Sequence, residues 1–400
     1  MNPGERRKAA GVKPGKRAGI AVRAVIAIDS FKGSVSSSEG GAALARGLLQ
    51  VCPDWEVQVV PVGDGGEGTL QAVYAAVGGE QVQCEVSDPL GRPVKAWFLL
   101  LPDGKTALIE LAQASGLPLL AEDERNPLET TTYGTGQLIK EAVRRGARRI
   151  VLTVGGSATN DGGTGIATAL GVRFLDSQGR ALPPVGRSLR EIERIDDSQV
   201  PREFKTVKFE VATDVRNPLY GPKGAAFVYA PQKGADREAV LALDEGLRRL
   251  AQVLRAATGR SVAEEPGAGA AGGVAASLVA LFDARIMDGF DTVASLVQLD
   301  EKLSGAHVVV TGEGKLDAQT LQGKVPLGVA RRAASLGVPT VAVAGRIEPE
   351  AERLVENGVV AFLPVVWGPI TLEEAMRRTS ELLRLTGRRL GYLLSWALLQ

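Results

Sequence analysis

Residues 22–34, VRAVIAIDSFKGS, join a continuous apolar run to a polar end that contains glycine. Continuous runs, in contrast to alternating ones, are typical of parallel strands that are buried on both faces. The polar residues that follow the run, from Asp29 to Ser34, would lie at the carboxyl edge of the sheet, where open α/β folds bind ligands. The stretch therefore predicts a first parallel strand with a ligand-binding turn behind it.

Apolar runs recur along the chain, at 22–28, 57–62, 106–111, 148–154, 207–213, 225–230, 306–311, 339–344 and 359–366. Helical patterns lie between several of them, at 38–50, 67–77, 134–145, 236–257 and 321–336. Because strand, glycine turn and helix repeat in this order, the sequence predicts a doubly wound α/β architecture.

The regular pattern is interrupted after about residue 80 by turn-rich stretches such as 87–93 and 176–180, and it returns near residue 306. We expect two α/β domains with mostly parallel sheets. One is doubly wound and discontinuous, formed by 22–84 plus 300–375, and the other, 85–299, is inserted into it. Residues 1–21 are expected to be a disordered basic extension, and residues 376–400 an amphipathic helix docked on the core or on a second subunit.

Composition excludes several classes of function. With a net charge of +1, the chain has no electrostatic footprint for nucleic acid or a membrane surface. The apolar run at 390–399 is too short to span a bilayer. Two cysteines are too few for a disulfide scaffold or a thiolate metal site, and we expect the protein in the reducing cytoplasm. The only histidine, His307, precedes an apolar run and is expected in a strand, so a zinc site with several histidines is impossible.

Five predicted strands end in polar, glycine-rich turns, and each turn alone is also explained by ordinary turn chemistry. The five stretches are 29–34 (DSFKGS), 63–69 (GDGGEGT), 155–163 (GGSATNDGG), Asp214 with 217–219 (NPL), and 311–320 (TGEGKLDAQT).

Their residue types suit a phosphorylated ligand. Glycines and small hydroxyl residues at a helix start leave N–H groups free for phosphate or carboxylate oxygens. Nearby carboxylates can bind Mg²⁺, and Lys32 and Lys324 can neutralise phosphate charge.

Two nucleotide motifs fail in their context. Residues 267–272, GAGAAG, match GxGxxG but follow AEEP, which is not a strand, so a phosphate-binding or tightly packed helix start is the better interpretation. A P-loop is absent from the sequence, since Gly323-Lys324 is followed by Val325.

The sequence resembles the glycerate kinases of the bacterial type-I family over about residues 22–375, leaving out both the basic start and the C-terminal helix. The matching segments, in order, are 25–34, 64–69, 88–93, 125–128 with 130–136, 155–163, 214 with 217–219, 224–225, 231–235, 266–273, and 311–320 with 323–324. The resemblance implies ATP-dependent, Mg²⁺-assisted phosphorylation of glycerate, on two α/β domains with the site between them, and it favours 2-phosphoglycerate over the 3-phospho product.

The chemistry of phosphoryl transfer ranks the candidate residues, because the reaction needs positioning and charge neutralisation rather than a histidine or cysteine. Asp161 or Asp214 is the candidate base, and Lys32 the candidate transition-state cation. The candidate metal ligands are Asp64, Glu67, Glu313 and Asp317. The candidate substrate or phosphate contacts are Asp29, Ser30, Gly65, Gly66, Gly155, Gly156, Ser157, Thr159, Asn160, Gly267, Gly269, Gly312 and Lys324.

Other functions remain open at this level. A kinase of a related sugar acid, such as tartronate or a tetronate, would use the same machinery. A non-catalytic sugar-acid sensor and a dehydrogenase are disfavoured, the first by the intact charged motifs and the second by the misplaced GxGxxG. The sequence leaves open whether the protein is a monomer or a homodimer.

Overall fold

A computed structural model describes residues 22–398, so the predicted disordered extension at 1–21 lies outside the described residues. Within 22–398 the chain forms thirteen strands: β1 (Arg23–Ile28), β2 (Glu56–Val59), β3 (Glu80–Ser87), β4 (Pro93–Leu100), β5 (Thr106–Glu110), β6 (Arg149–Thr153), β7 (Arg173–Leu175), β8 (Arg194–Asp196), β9 (Lys208–Ala212), β10 (Arg285–Met287), β11 (Val308–Leu316), β12 (Thr340–Ile347) and β13 (Val359–Pro364).

The α-helices of the same residues are also thirteen: α1 (Ser37–Leu49), α2 (Thr69–Val77), α3 (Ala112–Ser115), α4 (Tyr133–Arg144), α5 (Thr164–Ala169), α6 (Ala225–Tyr229), α7 (Arg237–Thr258), α8 (Val274–Phe282), α9 (Gly289–Leu296), α10 (Leu299–Leu303), α11 (Val325–Ser335), α12 (Leu372–Arg377) and α13 (Thr379–Leu398). None of the helices in residues 22–398 is both long enough and apolar enough to cross a bilayer.

The first sheet has the strand order β13-β12-β11-β1-β2, with every pair parallel. β1 is an internal strand between β11 and β2, and its residues from Ala24 to Ile28 are all buried, as a continuous apolar run predicts. Its register places Ala24 beside Val308 on β11. His307 is exposed one residue before β11, where its Nδ1 accepts a hydrogen bond from Arg23 N at 3.0 Å, so the prediction that it lies within a strand is wrong by one position.

The second sheet has the order β10-β9-β6-β5-β4-β3. It is parallel from β10 to β5 and antiparallel across β5, β4 and β3, and β7 and β8 form a separate antiparallel pair. The sequence pattern missed β3 and β4 because exposed and buried residues mix along them. The run 225–230, expected to be a strand, is helix α6 instead.

The α/β class with mostly parallel sheets is thus confirmed. The first sheet takes its strands from 23–59 and 308–364, and the second from 80–287. The further division into a discontinuous domain and an inserted domain stays a prediction.

The C-terminal helix α13 packs on α1 through glycine. A Cβ atom at Gly47 of α1 would overlap Arg384 O of α13, and one at Gly387 would overlap Leu44 O of α1. Leu383 of α13 is fully buried against the core that α1 and β1 share. The close approach therefore depends on these two glycines. The helix predicted for 376–400 begins at residue 379 and packs on α1 of the same chain.

Candidate active site

A cleft of about 490 Å³ lies where the carboxyl ends of strands from both sheets meet, and small-molecule sites usually have volumes of this order. Each sheet contributes the turns that follow two of its strands, β1 and β2 from the first, and β6 and β9 from the second. Ten predicted site residues line this cleft: Lys32, Asp64, Gly65, Gly66, Glu67, Gly155, Gly156, Ser157, Asp214 and Lys324.

The turns from the two sheets touch through glycine. A Cβ atom at Gly155 would lie 2.7 Å from the Cα of Gly66, and one at Gly65 would lie 3.4 Å from the Cα of Gly289. Gly65 also has a φ of +85°, which side-chain-bearing residues rarely adopt. The glycines therefore bring the two polar edges into backbone contact at the floor of the cleft.

A carboxylate of the second sheet supports the turn that carries Asp64. Helix α2 begins after Gly68, which has no side chain to cap it, and Leu70 N instead donates to Glu110 Oε1 at 2.9 Å. Glu110 is the last residue of β5, and its burial raises its pKa. The start of α2 is thus held by the opposite sheet.

Asp214 is the best-placed carboxylate of the cleft for proton transfer. It follows β9, and its Oδ1 accepts hydrogen bonds from Gly289 N at 3.0 Å and Phe290 N at 3.4 Å, at the start of α9. Burial raises the pKa of Asp214 to about 7, and the charges of Asp64 and Asp288 contribute. A general base works best with a pKa near the working pH, which this carboxylate has.

Asp29, which follows β1, carries another carboxyl group with a raised pKa. It is buried, and this burial, together with the charge of Asp64, raises its pKa to about 8. Asp29 accepts a hydrogen bond from Ser30 N at 2.6 Å, and Asp64 Oδ1 accepts one from Gly66 N at 2.9 Å. Asp29 therefore lies behind the cleft lining, where it influences Asp64.

Lys32 provides a positive charge at the mouth of the cleft. Its Nζ lies 3.9 Å from Asp64 Oδ2, and the charge of Asp64 raises its pKa. Because 67% of its side chain is exposed, the ammonium group is free to reach a ligand.

Lys233 is the main residue that the sequence interpretation left without a role. It follows α6 and lines the cleft, yet it is 1% exposed. Its Nζ donates to Ser157 Oγ at 2.8 Å and to Thr159 O at 2.7 Å, and burial lowers its pKa to about 7. The segment 231–235 belonged to the resemblance, but the run before it was expected to be a strand, which hid the lysine's position.

The structure places Asp161 away from the cleft lining. The carboxylate is fully buried and accepts hydrogen bonds from Thr132 N and Oγ1, both at 2.7 Å, from Gly163 N at 3.0 Å and from Gly165 N at 3.1 Å. The two donors of Thr132 tie the 155–163 turn to the start of α4, and those of Gly163 and Gly165 hold the carboxylate against the start of α5. This geometry is that of a structural carboxylate and favours Asp214 as the base, and the role of base stays a prediction for Asp161.

Thr159 and Asn160 were predicted to bind an anion, but both are fully buried behind the cleft. Within the described chain, Thr159 Oγ1 and both polar side-chain atoms of Asn160 have no hydrogen-bond partner. Thr159 contributes instead through its carbonyl, which holds Lys233.

The turn at 311–320 differs from its prediction, because β11 continues to Leu316. Gly312 is a strand residue whose Cβ would overlap Val343 O. Glu313 accepts a hydrogen bond from Thr320 Oγ1 at 2.5 Å, and Asp317 lies 3.0 Å from Lys315 Nζ. These two carboxylates thus have protein partners outside the cleft lining.

Three further predicted contacts also lie outside the main cleft. Gly267 has a φ of +92° and packs on Ile286 and Val215 O, and a Cβ at Gly269 would overlap Pro218 O, so these two glycines of the GxGxxG serve close backbone packing. Ser30 lines a smaller cavity with Lys32 and Glu67.

No group of three or more His, Cys, Asp or Glu side chains in residues 22–398 has the spacing of a metal site. Mg²⁺ usually requires fewer, since one or two carboxylates act together with phosphate oxygens. Of the four candidate ligands, Asp64 and Glu67 line the cleft together and fit that donor set.

Comparison with known proteins identifies the family of this chain. A family model described as the glycerate kinase family matches residues 24–395. Halalkalibacterium halodurans glycerate kinase is 44% identical over 372 residues, 93% of this chain and 98% of the relative. Escherichia coli glycerate 2-kinase is 41% identical over 356 residues, 89% of this chain and 93% of the relative.

A crystal structure from Salmonella typhimurium LT2, named provisionally as glycerate kinase 2, superposes with a TM-score of 0.86 at 39% identity, covering 95% of this chain and all of that one. Because the family match extends to residue 395, it includes nearly all of α13. The expectation that the C-terminal helix lies outside the similarity was therefore wrong.

Proposed function

Since the chain belongs to the glycerate kinase family, and is therefore an enzyme, we propose that it transfers the terminal phosphoryl group of ATP to D-glycerate. We favour the 2-hydroxyl as acceptor, because a relative that is 41% identical is named glycerate 2-kinase. The order of the motifs supports the bacterial type-I branch. The two free cysteines, Cys52 and Cys84, are compatible with a reducing cytoplasm.

The observation that carries the proposal is the charge pattern of the cleft. Three lysines and three carboxylates line it: Lys32, Lys233, Lys324, Asp64, Glu67 and Asp214. Phosphoryl transfer requires cations around the phosphates and a carboxylate beside the attacking hydroxyl, with little covalent chemistry for the protein itself. The lining contains both kinds of group within a space suited to small ligands.

In the proposed reaction, Asp214 accepts the proton of the attacking hydroxyl. Its hydrogen bonds to Gly289 N and Phe290 N fix the carboxylate at the end of β9, and its pKa of about 7 leaves a large fraction ionised at neutral pH. Lys32 stabilises the charge of the transferred phosphoryl group, and Lys324 binds phosphate oxygens on the same side of the cleft.

Asp64 and Glu67 are the residues that would hold Mg²⁺, which supplies charge neutralisation between phosphates when bound. Asp64 also orients Lys32, whose Nζ it faces at 3.9 Å. The close backbone approach of Gly66 to Gly155 keeps Asp64, Glu67 and Lys32 next to the turn that follows β6.

The test is ADP release by the purified protein with ATP, Mg²⁺ and D-glycerate, with the product identified by phosphorus NMR. We expect glycerate-dependent ADP and one resonance, that of 2-phosphoglycerate. A 3-phosphoglycerate resonance would refute the choice of hydroxyl alone. Absence of turnover by folded protein would refute the glycerate assignment, and tartronate and tetronates would then be assayed under the same conditions.

A further inference from the structure

Lys233 has an environment that an ordinary surface or core lysine lacks. Its Nζ is held from two sides, by Ser157 Oγ and by Thr159 O, at the edge of the cleft. An ammonium group has three N–H donors, so two are used and one is available. The residue is 1% exposed, and bulk water therefore contributes little to its solvation.

The positive charge of Lys233 has no carboxylate within ion-pair distance in the part of the chain that the structure describes. The carboxylate that influences it electrostatically is Asp161, whose oxygens already accept four hydrogen bonds. Burial of a charge without a counter-ion is unfavourable unless something compensates it. A small anion in the cleft would provide that compensation.

The cations of the cleft are divided between its two sides. Lys32 and Lys324 come from segments next to strands of the first sheet, where Asp64 and Glu67 also lie. Lys233 sits against the turn after β6 of the second sheet, beside Gly156 and Ser157. The first side has two cations and the candidate metal-binding carboxylates, as a nucleotide phosphate chain requires. The second side has one cation, one hydroxyl and Asp214, the candidate base.

We propose that Lys233, together with Ser157, binds the carboxylate of the 2-hydroxy acid substrate. The assignment rests on the proposed function, and it adds the direction in which the substrate lies in the cleft. The substrate carboxylate lies against the turn after β6, its hydroxyls face Asp214, and the phosphates lie toward Lys32 and Lys324. An acid is then selected over the corresponding amide or alcohol, because neither of those supplies the missing negative charge.

The experiment compares steady-state kinetics of the full-length wild-type protein with Lys233→Met, Lys233→Gln and a control, Lys208→Met. Lys208 is an exposed residue at the amino end of β9, on the sheet edge opposite the cleft. KM is measured for D-glycerate at saturating ATP and for ATP at saturating glycerate. The inhibition constant of glyceramide, the neutral amide analogue, is measured in each protein.

We expect Lys233→Met to raise the KM for glycerate by about 10- to 100-fold, the loss typical of one charged hydrogen bond. The KM for ATP and the inhibition constant of glyceramide should change less than about twofold, and Lys208→Met should match the wild-type protein. Should Lys233→Met fail to fold, Lys233→Gln keeps donors for Ser157 and Thr159 without the charge and should give the same pattern.

Two results would overturn the assignment. An unchanged KM for glycerate in folded Lys233→Met or Lys233→Gln would show that the lysine does not bind the acid, and a rise confined to the KM for ATP would place it on phosphate. Both require wild-type turnover of glycerate. A wild-type protein that does not turn over glycerate would refute the proposed function instead. The wild-type assay therefore distinguishes that failure from a failure of the Lys233 assignment.

Discussion

Replacement of Asp214 by asparagine should abolish most activity and at the same time make the protein more stable at alkaline pH. The asparagine side chain would keep an oxygen that accepts the hydrogen bonds from Gly289 N and Phe290 N, and the substitution would remove only the charge. Turnover should fall by about 10²- to 10⁴-fold, the usual contribution of a general base.

The gain in stability follows from the raised pKa. Because the pKa of Asp214 rises from 3.8 to about 7 on folding, the folded state favours the protonated carboxyl. The contribution of protonated Asp214 to the free energy of unfolding is complete below pH 3.8 and is lost as the pH rises toward 7. Above pH 7 this contribution changes little further. The full loss corresponds to about 4 kcal/mol as an upper limit, since a pKa difference of one corresponds to about 1.36 kcal/mol.

The assay is urea denaturation of both proteins at pH 5 and pH 8, with Asp54→Asn, an exposed carboxylate remote from the cleft, as the matched control. Asp214→Asn should exceed the wild-type free energy of unfolding by about 1 kcal/mol or more at pH 8, and by a smaller margin at pH 5. Asp29, with a pKa of about 8, contributes to both proteins and cancels in the comparison. Equal stabilities at pH 8, or a less stable variant, would refute the reasoning.

Three other substitutions separate structural from catalytic roles. Asp161→Asn should lower the free energy of unfolding by about 3 kcal/mol in a denaturant titration, because an amide N–H₂ would face backbone donors; unchanged stability with lost turnover would restore its role as base. Gly155→Ala should reduce kcat at least tenfold, because the added carbon would meet Gly66 Cα at 2.7 Å. Gly368→Ala is the control and should behave as wild type, because the space around Gly368 is open. Lys32→Met should lower kcat by about 10²-fold with an unchanged melting temperature, because 67% of its side chain is exposed, and wild-type kcat would exclude it from catalysis.

The fold class could be predicted from the sequence because continuous apolar runs encode strands buried on both faces. The run from Val22 to Ile28 predicted the internal strand β1 correctly to within one residue. Strands β3 and β4 could not be recognised in this way, because they are half-exposed and antiparallel, so no unbroken apolar run marks them. The run 225–230 was misassigned because a short apolar segment has the same composition in a buried helix and in a strand.

For the site, sequence patterns identified turns more successfully than the orientation of single side chains. Residues 64–67 and 155–157 of the glycine turns do line the cleft, as the carboxyl-edge rule predicts. Asp161 and Asp214 follow similar strands, yet one carboxylate is saturated by local donors and the other faces the cleft. Lys233 depends on a fold contact with a turn 74 residues away, which no local pattern contains.

The position of β1 between β2 and β11 also has a consequence for biosynthesis. Its neighbour β11 pairs with it at a separation of 284 residues, as in the hydrogen bond from Thr311 Oγ1 to Ala27 O. At ribosomal rates of about 5–20 residues per second, the segment VIAI must wait roughly 15–60 s for this partner. The second sheet, whose strands are contiguous in the chain, can form meanwhile. For most of its synthesis the nascent protein therefore carries a β1 that has β2 as partner on one edge and no partner on the other, and it is expected to depend on chaperones in that interval.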